Sequence, residues 1–150
     1  FDAKITDANE PNRCITLQNP IPSIQQPVHE ISGLSLLWKG LARYARNNGS
    51  GFMIGCSSLT SQNPDDGIAL YRSLRPNCIA PESFRTAPHP ELTCEGGIEP
   101  YSPPKVPRLM MGYLLQGAQV CGPPAIDREF GTIDFITIMD VKNIPARYFH

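Results

Sequence analysis

The sequence predicts an α/β protein with a mixed central sheet flanked by helices and a long proline-rich excursion. Three observations favour this class. Amphipathic stretches with a helical period alternate with short β-branched runs, the prolines gather mainly in one region, and no internal repeat is present. The 150 residues, 41% of them hydrophobic, suffice for one domain that we expect to span 1–150. Because the chain begins at Phe1 without a methionine, we expect its N-terminal part to be incomplete.

The first predicted elements lie before residue 75. Leucines and Trp38 recur with a helical period on one face of 34–46, and the Asn-Asn-Gly sequence at 47–49 is a plausible helix stop. A buried strand is predicted at 52–56. Asn63 or Asp65 can cap a second helix, because both side chains accept hydrogen bonds from helix N-terminal amides.

The second half of the chain begins with the proline-rich region. Half of the sixteen prolines lie within 76–107, which predicts a loop insertion at 76–106 without regular structure. A third helix is predicted to begin near Pro107 and to end at Gly117. Two strands are predicted after it, at 119–121 and at 132–141, and the second is rich in β-branched residues.

Composition narrows the partners and the location. The net charge is −1, whereas a nucleic-acid-binding protein would carry a basic stripe, so no nucleic-acid partner is expected. No apolar run of about 18 residues is present, and no secretory signal is visible. The five cysteines form no CxxC pair and are odd in number, which favours buried free thiols in a reducing cytoplasm.

Most familiar catalytic motifs are absent from the sequence, including GxSxG, the Walker loop, GxGxxG and HExxH. A metal site would have to gather His89, Cys94 and Glu95, whose spacing matches no ligand pattern, so no metal is expected. No cysteine stands in a recognisable nucleophile context. The acidic pair at 65–66 is most simply explained by the favourable effect of carboxylates at a helix N-terminus.

Two residues remain as acid–base candidates. Glu30 stands in the sequence VHEIS, predicted as a strand over 28–32 directly before a helix, and Tyr71 stands inside the second helix. A carboxylate here could accept a proton from an amine, and a phenol could return one to a thiolate leaving group. The alternative also stays open: Glu30 pairs with a core arginine, and Tyr71 only packs.

These segments stand in a pattern that resembles the hemolysin-like N-acyltransferases, relatives of the enzymes that acylate ornithine for ornithine lipids. The likeness is carried by EIS, by the helix LLWKGLARYA, by the strand FMIGCSSL and by the closing block VPRLMMGYLLQGAQVCGPPAIDREFGTIDFITIMDVKNIPARYFH. It covers roughly residues 28–150 and implies a GCN5-related N-acyltransferase-like mixed sheet. Acyl-homoserine-lactone synthases are related to the same family.

The resemblance implies transfer of a long-chain fatty acyl group from an acyl carrier protein or CoA thioester to the amine of an amino acid such as ornithine. Acyl-ACP or acyl-CoA would then be a cosubstrate, with no cofactor bound permanently. The implied location is cytoplasmic, with peripheral contact to the inner membrane. Two alternatives stay open: a non-catalytic acyl-binding or interaction module of the same fold, and an acyl-homoserine-lactone or N-acyl amino acid signal synthase.

The resemblance also implies the site. Two central parallel strands would splay apart around the pantetheine arm of the donor, here at 28–32 and 52–57. Glu30 would deprotonate the ammonium, Tyr71 would protonate the thiolate, and nearby backbone amides would hold the developing oxyanion. The implied donor-side residues are Ile31, Ser32, Gly33, Cys56 and Ser57. The implied acceptor-side residues are His29, Phe130 and Asp134.

The sequence departs from the family directly after Ser32. Family members place an arginine and a basic, glycine-containing stretch there, which grips the donor phosphate, whereas this chain continues at Gly33 into the helix. No phosphate-binding residue is therefore assigned from the resemblance.

Overall fold

The computed structural model describes residues 14–17, 30–96 and 103–148. Three α-helices and five strands lie within these ranges, in the chain order β1 (Cys14–Leu17), α1 (Glu30–Asn47), β2 (Phe52–Leu59), α2 (Pro64–Ser73), α3 (Arg108–Leu115), β3 (Gln119–Val120), β4 (Ala125–Asp127) and β5 (Thr132–Asp140). Among the described residues, each helix falls short of the length or hydropathy that spanning a bilayer needs.

The strands form one mixed sheet in the order β1-β2-β5-β3, and β4 pairs with another part of β5. β1 and β2 are parallel, while every other pair is antiparallel. β5 lies beside β2 along its whole length, from the pair Phe52–Asp140 to the pair Leu59–Ile133. The predicted α/β class with a mixed, helix-flanked sheet is confirmed, and it is compatible with a GCN5-related N-acyltransferase-like fold.

The prediction of a strand at 28–32 is wrong for the part that the structure describes. Glu30, Ile31, Ser32 and Gly33 form the first turn of α1, while 28–29 lie outside the described residues. Two effects favour the helix here. Each residue that extends an existing helix adds a hydrogen bond, and the helix dipole favours an acidic residue such as Glu30 at the start. The parallel neighbour of β2 is β1, Cys14–Leu17, which the sequence prediction did not contain.

The other predicted elements are found with adjusted ends. β2 continues to Leu59, three residues past the predicted end. Asn63, one of the two cap candidates, caps α2 by accepting a hydrogen bond from the backbone N–H of Asp65 at 3.2 Å. Gly117 follows α3 with a φ of +91°, a left-handed conformation in which glycine carries no steric penalty.

The two faces of the sheet are covered differently. On the face that we call the helix-covered face, Met53 and Met139 pack against Trp38 of α1, while Phe135 belongs to a second cluster with Leu70 of α2. Met110 and Leu114 of α3 pack in the second cluster as well. On the opposite face, which we call the open face, Ile138 packs with Ala80 and Phe84 of the proline-rich region.

The proline-rich region is more closely attached to the sheet than a surface excursion would be. It contains three short 3-10 helices, Pro76–Cys78, Glu82–Phe84 and Pro90–Leu92. Isolated bridges join Ile79 to Val120 and Thr93 to Ala125, and Ala80 and Cys94 are buried. The prolines exclude α-helix and extended strand from the described part of this region, but they do not prevent it from packing.

Candidate active site

The open face carries polar side chains on β2 and β5. Ser58 is paired with Asp134 across the two strands, so Cys56 and Asp134 are diagonal neighbours on the same face. Cys56 and Ser58 are exposed, and Asp134 is half-buried. The Thr132 hydroxyl donates a hydrogen bond to Asp134 Oδ1 at 3.0 Å, which fixes the orientation of that carboxylate. The structure therefore brings two predicted site residues, Cys56 and Asp134, together.

The surroundings of Cys56 disfavour its thiolate form. Its pKa is raised first by loss of hydration, because neighbouring protein atoms crowd the thiol although the side chain as a whole reaches solvent. The negative charges of Asp134 and Asp127 raise the pKa further. Since the thiolate is the nucleophilic form, Cys56 is poorly suited to nucleophilic catalysis.

Ser57 points to the other side of the sheet from Cys56. It is paired with Phe135 on the helix-covered face, and only 1% of its surface is exposed. Its Oγ has no hydrogen-bond partner within the described part of the chain. A ligand lying on one face would thus meet the side chain of only one of these two predicted donor-side residues, and it could contact both only through the backbone.

The backbone of β2 offers such a contact along one edge. The pairing with β1 ends at Leu17 and Gly55, whereas β2 continues to Leu59. Among the described residues, 56–59 therefore have no strand beside them on the β1 side. Unpaired backbone amides and carbonyls on a strand edge can hydrogen-bond an extended ligand.

Glu30 and its neighbours stand at the N-terminus of α1. The first four N–H groups of an α-helix have no partner within the helix, and they carry partial positive charge. The backbone amides of Ile31, Ser32 and Gly33 are therefore donors of this kind, although they belong to a helix rather than to a strand. His29 lies outside the described residues.

Tyr71 is held by a residue of the proline-rich region. It is half-buried against the second core cluster, and its hydroxyl oxygen accepts a hydrogen bond from Arg85 Nη1 at 3.0 Å. The same guanidinium acts on Cys121: burial raises the pKa of that thiol to about 11, and the positive charge of Arg85 opposes the increase. Arg85 is not identifiable from the sequence, because no pattern links residues 71 and 85 before the loop is folded.

Phe130 lies in the turn between β4 and β5 and is 69% exposed. Its backbone N–H and that of Glu129 both donate to Asp127 Oδ1 at 2.9 Å, so the turn is fixed by the carboxylate that also acts on Cys56. Asp127 is thus a residue at the edge of the open face that sequence reasoning missed.

The three residues considered for a metal site differ in their exposure to solvent. Cys94 is buried in the second core cluster, and burial raises the pKa of its thiol, while His89 and Glu95 are exposed. Within 14–17, 30–96 and 103–148, no three or more histidine, cysteine or acidic side chains stand close enough together to hold a metal ion.

A parallel strand pair joined through a helix, with a partly unpaired strand edge and polar side chains on an open sheet face, is compatible with the N-acyltransferases of the GCN5-related fold. Three curated relatives are each named L-ornithine N(alpha)-acyltransferase. The chain is 29% identical over 122 residues to the protein of Agrobacterium fabrum and 30% identical over 125 residues to that of Brucella abortus. It is 28% identical over 122 residues to the protein of Rhizobium meliloti.

Each similarity covers 77% of this chain but only 41% to 43% of the relative, so the chain spans less than half the length of these enzymes. No family model matches the chain, and no solved structure matches it. The resemblance to the N-acyltransferases of ornithine-lipid synthesis is confirmed by these relatives.

Proposed function

We propose that the chain is the acyl-transferring part of an N-acyltransferase that moves a fatty acyl group from a thioester to the amine of an amino acid such as ornithine. The observation that carries the proposal is the similarity to three L-ornithine N(alpha)-acyltransferases across 77% of the chain. The donor in this proposal is a long-chain acyl carrier protein or CoA thioester. A cytoplasmic location with contact to the inner membrane belongs to the same proposal.

The reaction requires two proton transfers. The amine nitrogen attacks the thioester carbonyl carbon, a C–N bond forms, and the C–S bond breaks, so that a thioester and an amine give an amide and a thiol. The nitrogen of the attacking amine must lose one proton to a base, and the departing thiolate must gain one from an acid. The oxygen of the tetrahedral intermediate needs hydrogen-bond donors.

The N-terminus of α1 suits the first half of this chemistry. Glu30 is the proposed base, and the backbone amides of Ile31, Ser32 and Gly33 are proposed donors to the thioester carbonyl or to the donor's phosphate. The extended part of the donor would lie along the unpaired edge of β2, where its backbone contacts include those of Cys56 and Ser57.

Tyr71 is the proposed acid for the second half. Its oxygen accepts the hydrogen bond from Arg85, so its own O–H remains able to donate to a thiolate. The contact with Arg85 also fixes the position of the Tyr71 hydroxyl. The hydrogen bond from Arg85 therefore favours a proton-donor role for Tyr71 over the alternative that Tyr71 only packs.

Asp134 is the proposed contact for the acceptor. Ornithine carries two ammonium groups at neutral pH, and a half-buried carboxylate fixed by Thr132 matches such a cation. His29 and Phe130 remain proposals for the same side of the site. Asp127 adds a second negative charge near Cys56.

The test uses the purified full-length protein with long-chain acyl carrier protein or acyl-CoA and a panel of amino acids. We expect release of free thiol together with an equal amount of N-acyl amino acid, detected by mass spectrometry and greatest with ornithine. Thiol release without an amide product would identify a thioesterase instead. No thiol release with any amine and either donor would exclude the proposal.

Single variants test the two proton-transfer roles. Tyr71→Phe and Glu30→Gln should each lower kcat about a hundredfold with little change in donor KM, since they remove a proton transfer rather than a binding contact. Tyr44→Phe, at an exposed tyrosine of α1, is the matched control and should keep wild-type kcat. Wild-type kcat in Tyr71→Phe or Glu30→Gln would remove that residue from the mechanism.

One observation favours a second candidate, a non-catalytic acyl-binding module. α1 begins at Glu30, so no loop separates Ser32 from the helix where the family places its phosphate-binding stretch. This module would bind an acyl carrier protein thioester and leave it intact. Calorimetric binding of acyl carrier protein without thiol release would support it over the enzyme.

A further inference from the structure

On the side that faces away from the sheet, the helices α1 and α3 each carry a stripe of residues, and the two stripes have the same spacing. In each stripe the residues stand at positions i, i+3 and i+7, which places them on one side of their helix. Together they define what we call the α1–α3 surface: Leu36, Lys39, Arg43, Arg108, Met111 and Leu115.

The two helices are neighbours on the helix-covered face of the sheet. The rings of Trp38 in α1 and Tyr113 in α3 meet edge to face, with their centroids 5.6 Å apart. Ala42 of α1 and Met110 of α3 are fully buried toward the sheet. Because each stripe lies away from these buried residues on its helix, both stripes face away from the sheet. All six residues except the half-buried Lys39 are exposed.

The α1–α3 surface exposes large aliphatic side chains. Leu115 is 76% exposed, Leu36 is 71% exposed, and Met111 is 41% exposed. Exposed single hydrophobics are ordinary, but three on adjacent helices beside positive charges form a patch that an interaction would bury.

Charge on this surface is of one sign. Lys39, Arg43 and Arg108 are basic, and neither residues 34–47 of α1 nor any residue of α3 is acidic, although the whole chain has a net charge of −1. α2, in contrast, begins with the acidic pair Asp65 and Asp66. The α1–α3 surface therefore complements an extended negative surface.

We propose that the α1–α3 surface binds the surface of an anionic phospholipid bilayer. The leucine and methionine side chains enter the headgroup region, and the basic side chains contact the lipid phosphates, as in an interfacial amphipathic helix. This proposal rests on the membrane contact named in the proposed function and assigns that contact to a surface. It needs no residue of the candidate active site, so vesicle binding is tested separately from acyl transfer. A failure of the proposed enzymatic function would leave it unchanged.

The charge arm of the test measures sedimentation of the full-length protein with vesicles of phosphatidylcholine alone or with added phosphatidylglycerol. We expect binding to the anionic vesicles that weakens as salt is added. The double variant Arg43→Gln, Arg108→Gln should bind about 25-fold more weakly, since each basic residue near the surface contributes about 1 kcal/mol, or about fivefold. The control Arg72→Gln, Arg128→Gln loses the same charge at exposed positions elsewhere and should bind like wild type.

The apolar arm keeps the charge and removes the leucines. Leu36→Ser, Leu115→Ser should weaken binding at least about tenfold, because two buried aliphatic side chains are lost from the lipid contact. Leu92→Ser, at an exposed leucine outside the surface, should bind like wild type. Circular dichroism of each variant checks that the fold is retained.

Three results would overturn the proposal. The first is no sedimentation of the wild-type protein with anionic vesicles. The second is an equal loss of binding in the surface variants and their controls, which would show that net charge alone acts. The third concerns the surface variants themselves. If they bind anionic vesicles as well as the wild type does but no longer bind an acyl carrier protein, the partner of the α1–α3 surface is an acidic protein and not a bilayer.

Discussion

The two faces of the sheet differ in what they bury. The helix-covered face holds two apolar clusters that include all three helices, and its buried polar side chains on the strands are Ser57 and Thr137. The open face is covered by the proline-rich region only around Ile138, and beyond it Cys56 is exposed and Asp134 half-buried. Stability is thus concentrated on one side, while the polar groups suited to chemistry stand on the other.

This difference means that neighbouring residues of the same strand serve different purposes. Successive residues of β5 point to opposite faces, so one contributes to the core and the next to the candidate site. Substitutions on β5 should therefore separate effects on the free energy of unfolding from effects on activity.

The largest effect is expected from a matched pair on β5. Ile133 is fully buried on the helix-covered face, and Ile136 is half-buried on the open face. Ile133→Ala should lower the free energy of unfolding by about 3 to 4 kcal/mol, because it leaves a cavity that the helices cannot close. Ile136→Ala should lower it by about 1 kcal/mol, since solvent or a side chain can fill the space. Urea denaturation measures both, and equal losses would contradict the contrast between the faces.

The next largest effect concerns the attachment of the proline-rich region. The backbone N–H of Thr86 donates to the carbonyl of Cys121 at 3.0 Å, and a Cβ placed on Gly122 would collide with the Thr86 carbonyl oxygen. Gly122→Ala should therefore force the two segments apart and cost about 2 kcal/mol. Limited proteolysis should also cut the variant faster within 76–96.

The control for that substitution is Gly131→Ala, at a left-handed glycine (φ +69°) with no atom within 4 Å of an added Cβ. It should cost about 1 kcal/mol from backbone strain alone, without faster cleavage in the proline-rich region. Equal cleavage of the two variants would show that the Gly122 contact does not hold the region.

The sequence was informative where a pattern is repeated along one element. α1, α3 and β5 were predictable because helical periodicity or β-branched content extends over most of each element. β4 has only three residues after two prolines, and it exists because β5 offers a pairing edge. The turn at Glu30 was predicted as a strand because the short EIS sequence has no period of its own.

The candidate site was less predictable than the fold. Cys56 and Asp134 were both named, but their adjacency depends on the register between β2 and β5, which no local pattern encodes. The hydrogen bond from Arg85 to Tyr71 depends on the path of a proline-rich loop. Sequence patterns identify the elements, whereas the contacts between elements come from tertiary packing.

The third prediction concerns the pH dependence of the free energy of unfolding. It depends on Cys121, which is buried where the proline-rich region covers the open face. Burial raises the pKa of Cys121 from 9.0 to about 11, so the folded protein keeps the neutral thiol while the unfolded chain ionises. The neutral Cys121 thiol makes its full contribution to the free energy of unfolding below pH 9, and this contribution is lost as the pH rises towards 11. Cys121→Ala should therefore make the decline in the free energy of unfolding over this interval shallower.

Ile138→Val is the control for the pH experiment, because Ile138 packs in the same cluster as Cys121 and does not titrate. It should lower stability by about 1 kcal/mol at every pH and keep the wild-type slope. The same slope in Cys121→Ala and wild type would show that other groups govern the alkaline decline.

The smallest effect is expected from two glycine substitutions, one on a helix side that faces away from the sheet and one on a helix side that packs against it. A Cβ on Gly112 of α3 would meet nothing within 4 Å, whereas one on Gly67 of α2 would stand 2.8 Å from Ile133 Cγ2. Gly112→Ala should raise the free energy of unfolding by about 0.5 to 1 kcal/mol, since alanine restricts the unfolded chain and favours helix. Gly67→Ala should lower it, because the crowding at Ile133 exceeds the gain in helix propensity. Thermal denaturation of the two variants gives both signs, and stabilisation by Gly67→Ala would mean that α2 does not press against the buried face.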